Sequence, residues 1–339
     1  MPTDTTHELE AGDVQAIAKL SETLAKVRTE LGRAVVGQTE VIDALLMCLI
    51  SRGHALLMGV PGLAKTLLVS KLSECLSLDF SRIQFTPDLM PMDITGTDIL
   101  QEAAGGERRF EFIKGPIFAN IVLADEINRA PAKTQAAMLE AMQEHRVTVL
   151  GKTMVLQQPF FVLATQNPVE QEGTYPLPEA QLDRFLLKLV IGYPRESDYD
   201  AILERTTGTQ EIVIKPVSNG VEINELRKIV RDVPVPAQAK KHAIRLVMGT
   251  QPGSDYAPDE VNEYVALGAS PRGAQALLLV GKVRALLGGR FAVSTDDIDY
   301  AAANVLRHRV MLNFHAMSDN VNADKIVAAV VNKLKNSAN

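Results

Sequence analysis

The chain reads as an α/β fold, a parallel sheet flanked by helices, followed by a smaller all-α domain. Three observations predict it. The stretch Gly59-Val60-Pro61-Gly62-Leu63-Ala64-Lys65-Thr66 stands between an apolar run, Ala55 to Met58, and a helical pattern that begins at Leu67. Two more apolar runs, from Ile121 and from Phe160, end in Asp125-Glu126 and in Asn167. Buried parallel strands read this way when their carboxyl ends face a cleft. Beyond Pro194 the pattern turns helical, over 197–206, 221–232, 236–249, 272–287, 295–311 and 323–335.

Composition sets the outer bounds. A chain of 339 residues is long enough for two domains. Its 46% hydrophobic and 22% charged content is that of a soluble globular protein. No apolar run has membrane-spanning length. The segment Met1 to Asp13 is polar and acidic, without the basic-then-apolar order of a signal peptide. A cytoplasmic location is expected. The net charge of −6 gives no global attraction to DNA or RNA, and no nucleic-acid partner is expected. Cys48 and Cys75, the two cysteines, fall in apolar helical contexts and read as packed thiols.

In chain order, Ile17, Leu20, Leu24, Val27 and Leu31 recur at helical spacing, so residues 1–34 form a helical lead-in. The α/β domain then spans 35–195. Val36 and Gly37 form a short turn before a second helical pattern. Such a turn touches the nucleotide base in many nucleotide-binding domains, and a plain helix-start turn is the alternative. Arg82 to Phe85 reads as a strand. Thr86 to Pro91 reads as irregular, because two prolines interrupt it. Ile94–Leu100 and Arg109–Ile113 form a hairpin-like insertion near 94–113. Lys133 to Glu144 is helical. A second hairpin near 147–156 turns at Gly151-Lys152. A short helix over 179–185 carries Asp183 and Arg184, and the helical domain spans 196–339. Ser294 or Thr295 with Asp297 marks one helix start there.

The chemistry concentrates at the strand ends. A Gly-rich turn between strand and helix aims backbone N–H groups at one spot, and the helix N-terminus adds partial positive charge. Gly59, Pro61, Gly62, Leu63, Ala64, Lys65 and Thr66, with Leu67 behind them, are the candidate nucleotide contacts. Lys65 reaches the β- and γ-phosphates, and the Thr66 hydroxyl ligates Mg²⁺. Ala64 occupies the place that the strict pattern gives to glycine, and alanine resists a positive φ. Asp125 holds Mg²⁺ through water, and Glu126 polarises the attacking water. An acidic helix start is the alternative for this pair. Asn167 bonds the γ-phosphate or the lytic water, or else only forms a turn before Pro168. Arg272 follows Gly268-Ala269-Ser270-Pro271 at a helix start, where a cation is disfavoured. It is either a ligand or a solvated arginine.

Several long stretches, GVPGLAKT (59–66), FTPDLMPMDITG (85–96), GPIFANIVLADEINRAPAKTQAAMLEAMQE (115–144), ATQNPVEQEGTYPLPEAQLDRF (164–185) and GASPRG (268–273), resemble the AAA+ ATPases and closely the MoxR family. They span roughly 35 to 290, and Ala64 is itself similar to that family's habit. The resemblance implies an α/β P-loop AAA+ domain with a helical lid and ATP/ADP and Mg²⁺ as cofactors. It makes Lys65 and Thr66 Walker A residues and Asp125 and Glu126 Walker B residues. Asn167 becomes sensor 1, Arg272 sensor 2, and Arg184 an arginine finger completing a neighbour's site. It also implies a homo-oligomeric ring, usually of six subunits, with chaperone-like work on a client protein, often with a von Willebrand A domain partner. Two other roles stay open from sequence: a nucleic-acid motor or loader, and a nucleotide-gated interaction switch with little hydrolysis.

Overall fold

The computed structural model describes residues 11–60, 62–102, 108–167, 173–208 and 212–336. In chain order the first elements are α1 (Ala11–Ala34), α2 (Thr39–Ile50), β1 (Ala55–Met58), α3 (Lys65–Cys75) and β2 (Phe80–Gln84). Next come α4 (Pro91–Thr95), β3 (Gly96–Glu102), β4 (Arg108–Lys114), β5 (Ile121–Asp125) and α5 (Ala132–Glu144). They are followed by β6 (Arg146–Val149), β7 (Lys152–Val155), β8 (Phe161–Gln166), α6 (Glu179–Leu182) and β9 (Leu187–Val190). The remainder is α7 (Glu196–Thr207), α8 (Gly220–Asp232), α9 (Ala237–Gly249), α10 (Asp259–Tyr264), β10 (Val265–Leu267), α11 (Pro271–Leu287), α12 (Thr295–Leu306), β11 (Met311–Leu312), α13 (Phe314–Ser318) and α14 (Ala323–Asn336).

β1, β2, β5, β8 and β9 form one parallel sheet in the order β2-β5-β8-β1-β9. Successive side chains of a strand point to opposite faces, and the core divides accordingly. Ala55, Leu57, Leu123 and Leu163 face α1, α2 and α3, while Leu56, Val122, Ala124 and Val162 face α5. Both faces of the central strands are covered, which is why β1, β5 and β8 read as apolar runs. The stripe Ile17, Leu20, Leu24, Val27 and Leu31 of α1 is fully buried. It packs on α3 and α11, so the first apolar cluster continues without a break into the helical part. Cys48 and Cys75 are free and buried in that cluster.

Two hairpins leave the sheet. β3 and β4 pair antiparallel from Gly96↔Lys114 to Glu102↔Arg108. The tip of this insertion, 103–107, lies outside the described residues. Gly96 has φ +89, and a Cβ there would meet the Ile113 carbonyl at 2.1 Å, so the base of the hairpin requires glycine. β6 and β7 form the second hairpin, and a 3.9 Å Lys152–Asp98 ion pair joins the two.

Several local expectations change. Pro91 starts a helix instead of breaking structure, since its missing N–H costs nothing in the first turn. The turn of the second hairpin is Leu150-Gly151, not Gly151-Lys152. Both central residues have positive φ, 49° and 78°, as a two-residue hairpin turn of type I′ demands. The pattern over 295–311 divides into α12 and the strand β11, which pairs with β10. The short helices α10 and α13 carry no long apolar period and were not legible. Among the described residues no helix is long and apolar enough to cross a membrane.

Candidate active site

Three neighbouring strands deliver the candidate residues to one edge of the sheet. β1 leads to the Gly59–Thr66 loop, β8 to Asn167 and β5 to Asp125 and Glu126, and β8 lies between the other two. Adjacent strands are about 4.8 Å apart, so the three sets stand side by side. Pro61 lies outside the described residues. Gly62 has φ +84, and among the described residues no neighbour lies within 4 Å of where a Cβ would stand. Ala64 takes the left-handed conformation at φ 53°, ψ 24°. The position therefore has the geometry that glycine supplies at no steric cost, and alanine adopts it under strain.

Lys65 opens α3, and its Nζ donates to the Gly59 carbonyl at 2.6 Å. Burial pulls the Lys65 pKa below the usual lysine range, while Asp125 and Glu126 act the other way. Gln38 Nε2 donates to the Leu63 carbonyl at 3.1 Å. That bond ties the Val36-Gly37 turn to the loop. Gly37 has φ +72, with Asp198 of α7 packed against it. Leu67 is part-exposed on the first turn of α3.

The two acids divide their roles by backbone. Asp125 is buried, and Thr165 Oγ1 donates to its Oδ1 at 2.6 Å. Arg82 reaches its Oδ2 from Nη2 at 2.7 Å and from Nε at 3.1 Å. Glu126 leaves the strand in the left-handed conformation at φ 57°, ψ 49°. Its N–H donates to Thr165 Oγ1 at 2.9 Å, so one threonine orients both acids. Gln84 Nε2 at 2.9 Å and Arg129 Nη1 at 3.1 Å both donate to Glu126 Oε2. Asn167 is buried at the end of β8.

Arg184 and Arg272 do not join this group. Leu186 N bonds the His54 carbonyl at 2.8 Å, and Leu187 pairs with Ala55 at the start of β1. The 183–186 segment therefore lies at the amino edge of the sheet. Four residues of strand, about 13 Å, separate that edge from the loop. Arg272, at the start of α11, reaches Asp183 Oδ2 at 3.5 Å. Arg184, Arg272, Asp183, Met142 and Gln143 line one open cavity of about 230 Å³. The structure thus brings the two arginines together and keeps both away from Lys65.

The comparisons with known proteins fit this arrangement. A profile of the ATPase family associated with various cellular activities matches residues 54–187, and an AAA lid domain profile matches 259–330. The chain is 40% identical to Chaperone MoxR1 of Mycobacterium tuberculosis over 96% of its own length and 85% of that protein. The chain belongs to the MoxR family of AAA+ ATPases. It is 43% identical to the uncharacterised YeaC of Bacillus subtilis, over 92% of this chain and 94% of the relative. A crystal structure of a candidate ATPase from Cytophaga hutchinsonii superposes with a TM-score of 0.88 at 40% identity, covering 94% of this chain and 96% of that one.

Within this MoxR protein the sequence reading missed the residues that hold the acids. Arg82 and Gln84 were legible only as members of a strand. Their alternation put both on one face, but the parallel register that sets Gln84 beside Asp125 is a nonlocal fact. Arg129 lies three residues after Glu126 on a single 3₁₀ turn, and that spacing alone was a usable signal.

Proposed function

We propose that this MoxR protein hydrolyses ATP in a ring whose sites are each completed by a neighbouring subunit. The carrying observation is the separation described above. Lys65, Asp125, Glu126 and Asn167 stand at the carboxyl edge of the sheet, while Arg184 and Arg272 share a cavity at the amino edge. A chain cannot bring both edges to one phosphate, but two chains can. In this reading both arginines act in trans.

The loop suits a triphosphate, because its left-handed Gly62 and Ala64 and the start of α3 turn N–H groups toward one spot. Lys65 exchanges the Gly59 carbonyl for phosphate oxygens. Val36 and Gly37 flank the base. The hydroxyl of Thr66 and the carboxylate of Asp125 are hard oxygen donors that fit Mg²⁺. That ion supplies charge neutralisation at the phosphates when bound. Glu126 orients the attacking water and accepts its proton. Asn167 fixes the water or the γ-phosphate. The neighbour's Arg184 and Arg272 stabilise charge developing on the transferred group. The work is chaperone-like remodelling of a client in a ring of six subunits, with a von Willebrand A domain protein as the favoured partner class.

Two experiments test this. Glu126→Gln should bind ATP normally and turn over at least about a hundredfold more slowly, whereas Lys65→Ala should weaken nucleotide binding. Wild-type turnover in Glu126→Gln would remove that residue from the site. Arg184→Ala and Arg272→Ala rings should each be inactive alone, yet regain turnover when mixed with Glu126→Gln subunits. A dead mixture, with hybrid rings present by mass, would reject action in trans.

A nucleotide-gated switch has one observation in its favour. Arg82, Gln84 and Arg129 hold both acids in the arrangement described above. Steady-state phosphate release decides: multiple turnovers per site support the ATPase, and a single turnover supports the switch.

A further inference from the structure

Asp183 pairs with two guanidinium groups from distant parts of the chain, Arg272 at the start of α11 and Arg309 in the turn after α12. It caps the end of α6, one residue before Arg184. Arg309 Nε donates to its Oδ1 at 2.7 Å, and Arg272 Nη1 reaches its Oδ2 at 3.5 Å. Arg309 is almost wholly buried, with 4% of its side chain exposed. Its other N–H groups donate to the carbonyls of Asp183 at 3.3 Å, Phe185 at 2.8 Å and Leu186 at 3.2 Å. Arg309 therefore clamps the backbone on both sides of Arg184 and ties it to the helical part. A guanidinium this buried needs an opposite charge, and Asp183 supplies it.

The same carboxylate restrains Arg272. Ser270 caps α11, accepting the Arg272 N–H at 3.3 Å. A cation in the first turn of a helix is repelled by the helix dipole. Asp183 offsets that repulsion, and its two oxygens are shared between Arg272 and Arg309. The Arg272 side chain is 61% exposed and its contact is long, so it is restrained without being locked. The Arg184 guanidinium makes no hydrogen bond or ion pair among the described residues. One arginine is thus positioned through its backbone and the other through its charge, both by way of Asp183.

We propose that Asp183 is the positioning residue that sets the spacing of Arg184 and Arg272 for a neighbouring subunit's nucleotide. This rests on the reading that both arginines act in trans. Asp183 touches no substrate. Its removal should lower turnover in the neighbour and leave nucleotide affinity in its own subunit intact.

The experiment uses full-length Asp183→Asn, which keeps the shape and removes the charge. The homogeneous protein should lose about tenfold or more in kcat, as small misplacements of catalytic groups do, with KM for ATP changed less than about twofold. Its Kd for a fluorescent ATP analogue should match wild type. Mixed with Glu126→Gln subunits, which carry an intact Asp183, Arg184 and Arg272, it should regain turnover. A side chain whose role was only to stabilise its own subunit would give no such recovery. Should Asp183→Asn fail to fold, Asp183→Glu carries the same test. It keeps the charge but lengthens the reach, and it should lose turnover alone and recover in the mixture. Unchanged kcat, or nucleotide affinity falling with kcat, overturns the proposal. The control is Arg184→Ala mixed with Glu126→Gln. If that control recovers and the Asp183 mixture does not, positioning by Asp183 is rejected. If neither recovers, the trans reading itself fails.

Discussion

Arg82 is the residue whose position was least expected and has the most direct consequence. With Thr165 on one oxygen of Asp125 and Arg82 on the other, both carboxylate oxygens already have partners. A divalent ion that draws on Asp125 competes with that guanidinium. The Arg82 side chain is 48% exposed, so water screens the pair, which is worth at most about 1 kcal/mol. Arg82→Gln should therefore lower the Mg²⁺ concentration for half-maximal ATP-analogue binding, by no more than about fivefold. A rise would mean that Arg82 helps to build the metal site. At this scale the sequence was legible where chemistry follows from residue type at a fixed spacing, as in Lys65-Thr66 and Asp125-Glu126. Ala64 shows the limit. Its departure from the pattern was visible, but only the backbone reveals that an alanine occupies the left-handed position. Asp183 and Arg309 lay beyond reach, because 126 residues separate them and no local period connects them.

Among elements, the start of β1 is tied to its neighbours by a buried histidine. His54, just before β1, accepts from Val162 N of β8 at 3.0 Å and donates to the Met142 carbonyl of α5 at 2.9 Å. Burial lowers its pKa to about 3. Near pH 6.5 the unfolded chain takes up this proton, while the folded chain does not until about pH 3. The unfolded state thus binds more protons across that window, and stability falls as pH drops through it. At pH 5 the loss from His54 alone is about 2 kcal/mol. His308 adds to it, since burial also holds its pKa well below the ordinary value. Urea midpoints at pH 7.5 and pH 5 should differ accordingly, and His54→Gln should narrow the difference; equal midpoints would contradict the assignment. The long elements were legible because apolar period and burial agree in them, as along α1. Three short ones of the helical part were not, for the same reason. α10, α13 and β11 have 6, 5 and 2 residues, too few to carry a period, and their neighbours decide their conformation.

At the scale of the whole molecule, the unbroken apolar cluster that joins sheet and lid governs how force is transmitted. Separating the lid would expose buried side chains of α1, α2 and α11 at about 25 cal/mol per Å². The chain should therefore move largely as one body, and in the proposed ring the motion would concentrate between subunits. What such a body presents to a client is set by its hairpins. The 86–100 stretch has no aromatic residue, and exposed Met90 and Met92 stand at the start of its short helix. The exposed aromatic stands instead on β4, where Phe110 is paired with Leu100. Arg108 shares the face of Phe110 by alternation, while Arg109 lies on the other. An aliphatic loop gives a moving chain little of the large rigid contact area that an aromatic supplies. Arg108 and Arg109, exposed beside one apolar pair, suit docking onto acidic groups of a folded partner. The expected action is local remodelling, not processive threading. A stable folded reporter fused to a client should survive incubation with the ring and ATP. Arg108→Glu with Arg109→Glu should lower client binding while leaving basal ATPase intact, and Arg108→Glu with Phe110→Ser should lower it further. ATP-dependent unfolding of the reporter would overturn the docking reading. Unchanged client binding in both double variants would assign the hairpin no part in it.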